Sequence, residues 1–232
     1  MSGVIELRQY TLKPGRRDEL IALFEREFIE TQEVLGMDVI GIFRDETDAD
    51  RFVWVRGFPD MDSRARSLQA FYTGPVWMAH REAANATMID SDNVLLLRPA
   101  WEGAGFAPGG KCAPVGATRI PNTVVTANIC PFAVPVPQAV IESMRRLLPK
   151  QTRALEGSLA AALVTEPSPN NFPRLPVREG ENVFVWFTVF DGPPVAFDLP
   201  DAIASKLARP METLRLCPTP RSRLGADAKG IL

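Results

Sequence analysis

The sequence contains few of the residues that build metal sites and disulfide frameworks. Its 232 residues include three cysteines and one histidine. Cys112, Cys130 and Cys217 are far apart and lack CxxC spacing, so neither a disulfide framework nor a structural zinc site is predicted, and we expect three free thiols. One histidine cannot build a histidine-rich metal site, and no acidic pair lies near it at ligand-like spacing. We therefore expect no metal and no cofactor.

An excess of charge and long apolar runs are also missing. The 26 Lys and Arg residues nearly balance the 28 Asp and Glu residues, which gives a net charge of −2. This balance offers no electrostatic reason to expect nucleic acid or a membrane surface as a partner. No apolar stretch reaches the length needed to span a bilayer. The N-terminal MSGVIELRQY enters a strand-like pattern directly, without a signal peptide, so we expect a cytoplasmic protein.

Several common catalytic and binding motifs are absent. There is no GxSxG sequence, no phosphate-binding Gly-rich loop and no nicotinamide fingerprint. APGGKC at 107–112 has no Ser or Thr after its lysine and no strand–helix context. The acidic run DETDAD at 45–50 lacks the Gly and the terminal Glu of a calcium loop, which favours a solvated turn. Hydrolase, nucleotide-binding and calcium-binding functions are therefore not indicated.

The first hundred residues show the order strand, helix, strand, strand, helix, strand, with an extra helix before the last strand. In the first strand, Ile5 and Leu7 face one way while Glu6, Arg8 and Tyr10 face the other. The predicted elements are strands at 4–10, 38–44, 51–58 and 93–98, and helices at 16–35, from about 62 to 72 and from 75 onward. This order is typical of a ferredoxin-like unit.

The first helix has the clearest amphipathic pattern in the chain. Its expected apolar stripe consists of Leu20, Leu23, Phe24, Phe28, Thr31 and Leu35. Gly36 is expected to end it, because glycine readily adopts the left-handed conformation of a helix C-terminus.

The second half repeats this plan in degraded form after a Gly-, Ala- and Pro-rich stretch at 103–121, which we interpret as a linker. The expected elements are strands at 123–130, 158–165, 183–190 and 211–217, helices at 137–148 and 199–208, a long loop at 167–182 and a loose tail from Pro218. The second half contains no counterpart of GPVWMAHREAAN, so we expect the first half to supply the functional site.

Three segments of the first half carry a family resemblance. They are IELRQYTLKPGRRDEL, RFVWVRGFPD and FYTGPVWMAHREAANATMIDSDNVLLLRP, and together they resemble the bacterial NIPSNAP proteins over residues 4–99. These proteins belong to the dimeric α/β-barrel superfamily of ferredoxin-like domains. Together with the repeat, the resemblance implies an α+β fold of two tandem ferredoxin-like domains, at 1–102 and 122–232. Their antiparallel sheets are expected to pair into a barrel, either between the two halves of one chain, which we favour, or between equivalent halves of two chains. The resemblance implies a fold more than an activity, because relatives do different chemistry.

The helix that begins at Pro75 indicates a candidate site. At three- and four-residue steps come Trp77, His80, Arg81, Ala84 and Met88, so they are expected to share one face of a helix. A face that combines aromatic and charged side chains suits a pocket wall. The expected pocket lies between the sheet and its helices. Its candidate lining residues are Tyr10, Trp54, Arg56, Tyr72, Trp77, His80, Arg81 and Asn85.

Each candidate has a functional and a structural interpretation. His80 can move a proton, or it can bond a nearby carbonyl. Arg56 can hold a carboxylate or an enolate, or it can pair with Glu6 or a helix carboxylate. Tyr10 can donate to a ligand oxygen. The tryptophans and Tyr72 can fill the core, Arg81 can form a surface pair with its neighbour, and Asn85 can bond the backbone.

We therefore expect a pocket in the first half for a small hydrophobic or aromatic metabolite. The protein would act either as a binding protein or as a cofactor-independent enzyme of proton transfer, oxygenation or rearrangement, with His80 as the acid or base and Arg56 or Tyr10 beside the developing charge. Two alternatives stay open: a non-catalytic scaffold with a filled pocket, and a haem protein that uses His80. We also expect a homodimer or larger homo-oligomer.

Overall fold

The computed structural model describes residues 2–110 and 112–226. These residues include eight strands: β1 (Val4–Leu12), β2 (Asp38–Asp45), β3 (Arg51–Phe58), β4 (Met88–Pro99), β5 (Val124–Phe132), β6 (Gly157–Thr165), β7 (Asn182–Phe190) and β8 (Glu212–Pro218). The α-helices are α1 (Arg17–Leu23), α2 (Ile29–Val34), α3 (Met61–Tyr72), α4 (Pro75–Thr87), α5 (Gln138–Ala154) and α6 (Asp201–Ala204).

The strands form one antiparallel sheet that closes on itself in the order β1-β3-β2-β8-β5-β7-β6-β4. Within this ring the first half contributes β4-β1-β3-β2 and the second half contributes β8-β5-β7-β6, so both halves have the same internal order. The halves meet where β2 pairs with β8 and where β4 pairs with β6. The predicted α+β class with an antiparallel sheet is confirmed.

The two faces of the sheet differ in composition. One buried apolar cluster draws side chains from all eight strands, so it fills the inside of the ring; Ile5 and Leu7 of β1 belong to it. Glu6, Arg8 and Tyr10 face the other way, as predicted, and lie under the helices of the first half. In the register of β1 and β3, Glu6 is opposite Arg56, so two charged side chains share this covered face.

The first long helix contains a π-helical turn at Phe24–Phe28, between α1 and α2. The turn shifts the buried face of the following residues, so Ile29 and Gln32 are buried, whereas Thr31 and Leu35 of the predicted stripe are only partly buried. Such turns are frequent at functional sites. Gly36 follows the helix with φ 84°, which confirms the predicted stop.

Three element boundaries differ from the prediction. β4 begins at Met88, because residues that we expected to break the chain pair with the end of β1 through register shifts. α5 continues through Pro149 to Ala154, since tertiary packing can override a proline. α6 covers only Asp201–Ala204. All three are cases in which pairing or packing outweighs local propensity.

The tail is not loose in its first part. Thr219, Arg221 and Ser222 are buried, and the Ser222 hydroxyl accepts a hydrogen bond from the Ile42 N–H at 3.0 Å. Arg221 also binds the Glu30 carboxylate of α2. The prediction of a loose tail from Pro218 is therefore wrong for residues 219–226, because polar bonds hold them to the first half. The last six residues of the expected tail lie outside the described part of the chain.

The described residues of the expected linker, 103–110 and 112–121, have no regular secondary structure, yet Ala104 and Phe106 are buried. Cys112, Cys130 and Cys217 are free, as predicted. Within residues 2–110 and 112–226, no helix is long and apolar enough to cross a membrane. In the same residues, no cluster of three or more His, Cys, Asp and Glu side chains is arranged to hold a metal ion.

Candidate functional site

A cavity of about 340 Å³ lies between the covered face of the first-half sheet and its helices. Its floor comes from β1 and β3, and its walls come from α1, the π-helical turn, α2, α3 and α4. Six of the eight predicted site residues line it: Tyr10, Trp54, Tyr72, Trp77, Arg81 and Asn85. The volume lies within the range of about 300–1,000 Å³ that is usual for small-molecule sites.

Aromatic rings form most of the cavity wall. Trp77 lies with its ring centroid 4.8 Å from that of Tyr72 and 5.7 Å from that of Phe28. Trp54 packs edge-on against Phe24, with centroids 4.8 Å apart. Such offset and edge-on contacts make a rigid apolar surface. The wall therefore suits a flat, apolar ligand.

His80 does not line this cavity. Its Nε2 atom is 3.6 Å from a Glu27 carboxylate oxygen, and its side chain is 33% exposed. Trp77 and Arg81 of α4 do line the cavity, whereas His80 projects from the neighbouring face toward the first helix. The predicted face of α4 therefore includes one residue, His80, that does not line the cavity. Side chains three positions apart on a helix differ in direction by about 60°, so two residues at this spacing can face different neighbours.

Arg56 is fully buried beneath the cavity floor and pairs with Glu6. Its Nε atom donates to Glu6 Oε2 at 2.7 Å, and its Nη1 atom donates to Gln32 Oε1 at 3.0 Å. The ion pair with Glu6 was the structural alternative for this arginine. Gln32 itself lines the cavity, so Arg56 is separated from the cavity by the Gln32 side chain to which it donates.

Glu6 holds two further arginines. Arg8 donates from Nη1 to Glu6 Oε2 at 2.8 Å, and Arg64 of α3 donates from Nε to Glu6 Oε1 at 2.6 Å. All four side chains, including Arg56, have no exposed surface. We call Glu6, Arg8, Arg56 and Arg64 the arginine cluster.

Electrostatics within the cluster keep Glu6 ionised. Burial alone would raise the pKa of the Glu6 carboxyl, but the charges of Arg56, Arg8 and Arg64 outweigh burial and hold this pKa well below its usual range. For Arg64, burial lowers the pKa of the guanidinium. Arginine nevertheless stays protonated in proteins. The cluster therefore holds three positive charges against one negative charge.

Hydrogen bonding in the cluster is incomplete. Nη2 of Arg8 and Nη2 of Arg64 are buried without a hydrogen-bond partner in the described part of the chain, and so is Nε1 of Trp54. A buried donor left unpaired costs about 1–3 kcal/mol, and more when it is charged. The floor of the cavity is thus short of hydrogen-bond acceptors as well as of negative charge.

Several contacts connect the arginine cluster to residues that line the cavity. Arg8 Nε donates to the hydroxyl oxygen of Tyr10 at 2.8 Å. The guanidinium carbons of Arg8 and Arg56 lie 5.7 and 4.9 Å from the centroid of the Trp54 ring. Burial raises the pKa of the Tyr72 phenol, while Arg56 and Arg8 act in the opposite direction. A ligand in the cavity is therefore separated from the arginines by single side chains.

Comparison with known proteins shows to which family the first half of the chain, which forms most of this cavity, is similar. Residues 5–101 match the NIPSNAP family model. The first half is a NIPSNAP domain. A NIPSNAP domain protein from Burkholderia xenovorans is 19% identical and covers 45% of this chain and 98% of its own length, with a TM-score of 0.39. A search of curated proteins finds no match.

Two solved structures extend the likeness to the whole chain. A protein from Fusobacterium nucleatum described as a candidate monooxygenase is 11% identical, with a TM-score of 0.57, and covers 94% of this chain and 93% of its own. One of the same description from Lactobacillus acidophilus NCFM is 13% identical, with a TM-score of 0.54 and 94% coverage of both chains. At this identity the likeness shows the fold alone.

The cavity of the NIPSNAP domain is completed by a loop from the other half of the chain. Phe172 and Leu175, which precede β7, line it together with the exposed Arg174. The Phe172 ring stacks on Tyr72, with centroids 6.0 Å apart. Asn170 accepts a hydrogen bond from Arg64 Nη1 at 3.0 Å, which fixes the loop to the arginine cluster.

Sequence reasoning missed this loop and the charged floor. The loop has no periodicity and lies far from the NIPSNAP domain in sequence, so no pattern placed it at the site. Glu6 and Arg8 did give a signal, because they alternate with Tyr10 on one face of β1. Two charged residues on a strand face that also carries aromatic side chains suggest either an exposed face or a buried charge network, and the pattern alone does not separate these.

A second cavity of about 350 Å³ lies near the expected linker, beside Phe106 and Leu224. Its arginine, Arg223, already pairs with Glu33 and Asp38. That positive charge is compensated, and none of the described residues that line this cavity has a buried side-chain donor without a partner. We therefore take the NIPSNAP-domain cavity as the candidate site.

Proposed function

We propose that the protein binds a small aromatic or otherwise hydrophobic metabolite in the cavity of its NIPSNAP domain. The observation that carries this proposal is a cavity of about 340 Å³ whose walls are aromatic rings and whose floor is polar. Such a combination buries an apolar ligand and orients it by a few polar contacts. If chemistry follows binding, Tyr10 is the group in the cavity that could exchange a proton with the ligand, because Arg8 orients its hydroxyl.

We also propose that the chain consists of two tandem ferredoxin-like units, at 1–102 and 122–232, whose sheets pair into a barrel within one chain. The identical internal strand order of the two halves supports this division. The loop that carries Phe172 would then be the contribution of the second unit to the site of the first. A homodimer or larger assembly remains our proposal for the state in solution, with sedimentation velocity as its test.

The two alternative functions receive less support. A scaffold protein would have a small or filled pocket, whereas this cavity is open and aromatic. A haem protein that used His80 would need that side chain to face a cavity, and it instead lies beside Glu27. The aromatic binding site is therefore the function that we put forward.

The test is isothermal titration calorimetry with 2-naphthoate and 2-naphthamide as flat aromatic probes. Ala84 is buried and lines the cavity, so Ala84→Phe should fill it and abolish binding. Ala83 is its exposed neighbour on α4, and Ala83→Phe is the matched control that should leave binding unchanged. Leu175→Trp fills the cavity from the loop and serves if Ala84→Phe does not fold.

The outcomes are clear-cut. Binding that both cavity-filling variants remove and Ala83→Phe leaves intact supports the proposal. Binding that survives both Ala84→Phe and Leu175→Trp contradicts the proposed location. No binding of either probe to the wild-type protein contradicts the proposed ligand class.

A further inference from the structure

We infer that the cavity of the NIPSNAP domain selects anionic ligands, and that its substrate class is a singly charged aromatic acid: a carboxylate or an ionised enol. This inference rests on the proposed function and adds the charge of the ligand to it. Two independent features of the site carry it, the charge of the lining residues and the charge of the floor beneath them.

The lining residues are one-sided in charge. Arg81 of α4 and Arg174 of the loop contribute to the wall, and none of the lining residues is Asp or Glu. Both arginines are exposed, and neither forms an ion pair with an acidic side chain of the described residues. A concave site with charge of one sign raises the local concentration of ligands of the opposite sign. The lining therefore attracts an anion.

The floor adds a buried charge surplus. Three arginines share the single carboxylate of Glu6, and none of the four side chains is exposed. A charge removed from water and left uncompensated costs several kcal/mol even after relaxation. The surplus lies against Tyr10 and Trp54, which form the surface seen by a ligand. An anion in the cavity would offset part of this cost, whereas a neutral ligand of the same shape would not.

The cavity floor offers an anion a hydrogen-bond donor. Tyr10 uses its hydroxyl oxygen to accept from Arg8, so its hydroxyl hydrogen is free to donate. One carboxylate or enolate offers an acceptor for this hydrogen. The indole N–H of Trp54 also lacks an acceptor among the described residues, but it is buried behind the cavity surface. The aromatic wall leaves room for the apolar part of the ligand, which is why an aromatic acid fits better than an inorganic anion.

The experiment compares two probes of the same shape and different charge. At about pH 7.5, 2-naphthoate is ionised because an ordinary carboxyl pKa lies near 4, whereas 2-naphthamide is neutral. Calorimetry on the wild-type protein should show that naphthoate binds about tenfold or more tightly than naphthamide, the size expected for hydrogen bonds to a charged group. Increasing salt should weaken the binding of naphthoate and leave that of naphthamide unchanged.

Exposed arginines allow a matched variant that does not disturb the fold. The double variant Arg81→Gln, Arg174→Gln should weaken naphthoate binding by about a fewfold and change naphthamide binding less. Arg146→Gln changes an exposed arginine of α5 and is the control for net charge. If Arg81 and Arg174 had a purely structural role, the double variant would change the affinities for both probes by the same factor.

The results separate this inference from the proposed function. Preference for naphthoate, reduced in the double variant and not in Arg146→Gln, supports the inference. Equal binding of the two probes, or preference for naphthamide, overturns the inference and leaves the proposed function standing. Binding of neither probe overturns both.

Discussion

The Nε atom of Arg8 donates a 2.8 Å hydrogen bond to the hydroxyl oxygen of Tyr10, and both side chains lie on the covered face of β1. Arg8 is fully buried with Glu6, whereas Tyr10 reaches the cavity. The bond therefore connects the buried arginine cluster directly to Tyr10, a side chain that a ligand in the cavity can contact. We therefore expect ligand binding to depend on this connection more than on the partly exposed His80.

Removing the Tyr10 hydroxyl should weaken ligand binding without unfolding the protein. We expect Tyr10→Phe to reduce naphthoate affinity about tenfold, because it deletes one hydrogen bond to a charged group and keeps the ring. Calorimetry gives the affinity, and thermal unfolding shows whether the fold survives. An unchanged affinity for naphthoate would exclude Tyr10 as a ligand donor.

Substitution of His80 should have little effect on ligand binding. His80→Ala removes a partly exposed side chain that does not line the cavity and that contacts Glu27 and the outer side of the Phe28 ring. We expect naphthoate affinity to stay within about twofold and stability to change by no more than about 0.5 kcal/mol, as for most surface substitutions. Trp77→Ala, on the same helix, should weaken binding clearly because it removes part of the aromatic wall. A large loss of naphthoate affinity in His80→Ala would show that His80 takes part in ligand binding and would contradict this prediction.

Glu6 should be important for stability. Glu6→Gln leaves three buried arginines without a counter-charge, so we expect the free energy of unfolding to fall by about 3–5 kcal/mol, as when one partner of a buried ion pair is removed. Chemical denaturation at neutral pH measures this loss. Glu19→Gln, which affects an exposed pair with Arg16, is the control and should cost little. Equal effects of the two substitutions would contradict the account of the cluster.

The same residue should govern stability in acid. The pKa of Glu6 in the folded protein lies well below its ordinary value of 4.5, so the unfolded chain binds a proton first as the pH falls. The stabilisation by Glu6 is therefore complete above about pH 5 and is lost progressively as the pH falls toward the folded-state pKa. Unfolding free energies measured from pH 7 downward should decline less steeply in Glu6→Gln than in the wild type. Parallel declines would show that other carboxyls control acid unfolding.

The loop that precedes β7 should depend on its bond to the arginine cluster. Asn170 accepts hydrogen bonds from Arg64 Nη1 at 3.0 Å and from the Phe172 N–H at 3.1 Å. Asn170→Ala removes both, so we expect faster hydrogen exchange in residues 167–175 and faster dissociation of naphthoate. Asn122→Ala, at an exposed asparagine far along the chain, is the control. Unchanged exchange in the loop would show that its remaining contacts are enough to hold it, namely the bond from Arg64 Nη1 to Asn171 and the stacking of Phe172 on Tyr72.

The strands and the aromatic wall could be predicted because they depend on local periodicity. Alternation placed Tyr10 and Trp54 on the covered face, and helical spacing placed Trp77 and Arg81 on one face of α4. His80 shows the limit of this reasoning. A face defined by three- and four-residue steps spans a wide arc, and only packing against the first helix decides which edge of the arc meets the cavity.

The charged floor and the loop were beyond the reach of sequence patterns for different reasons. Whether Arg64 is a surface residue of α3 or a buried partner of Glu6 depends on contacts between elements that are far apart in sequence. The π-helical turn at Phe24–Phe28 also shifts the buried face of the first helix, and the spacing of apolar residues in the sequence does not predict this turn. Phe172 belongs to an irregular loop, and its position is set by Arg64 and Tyr72 rather than by its own neighbours.

The most direct test of the account is a crystal structure of the protein with 2-naphthoate. We predict that the naphthalene rings lie among the aromatic side chains beside Trp77 and Tyr72, with the carboxylate within hydrogen-bond distance of the Tyr10 hydroxyl. Naphthoate found instead in the cavity beside Phe106, or density for it in neither cavity at a saturating concentration, would contradict the central claim.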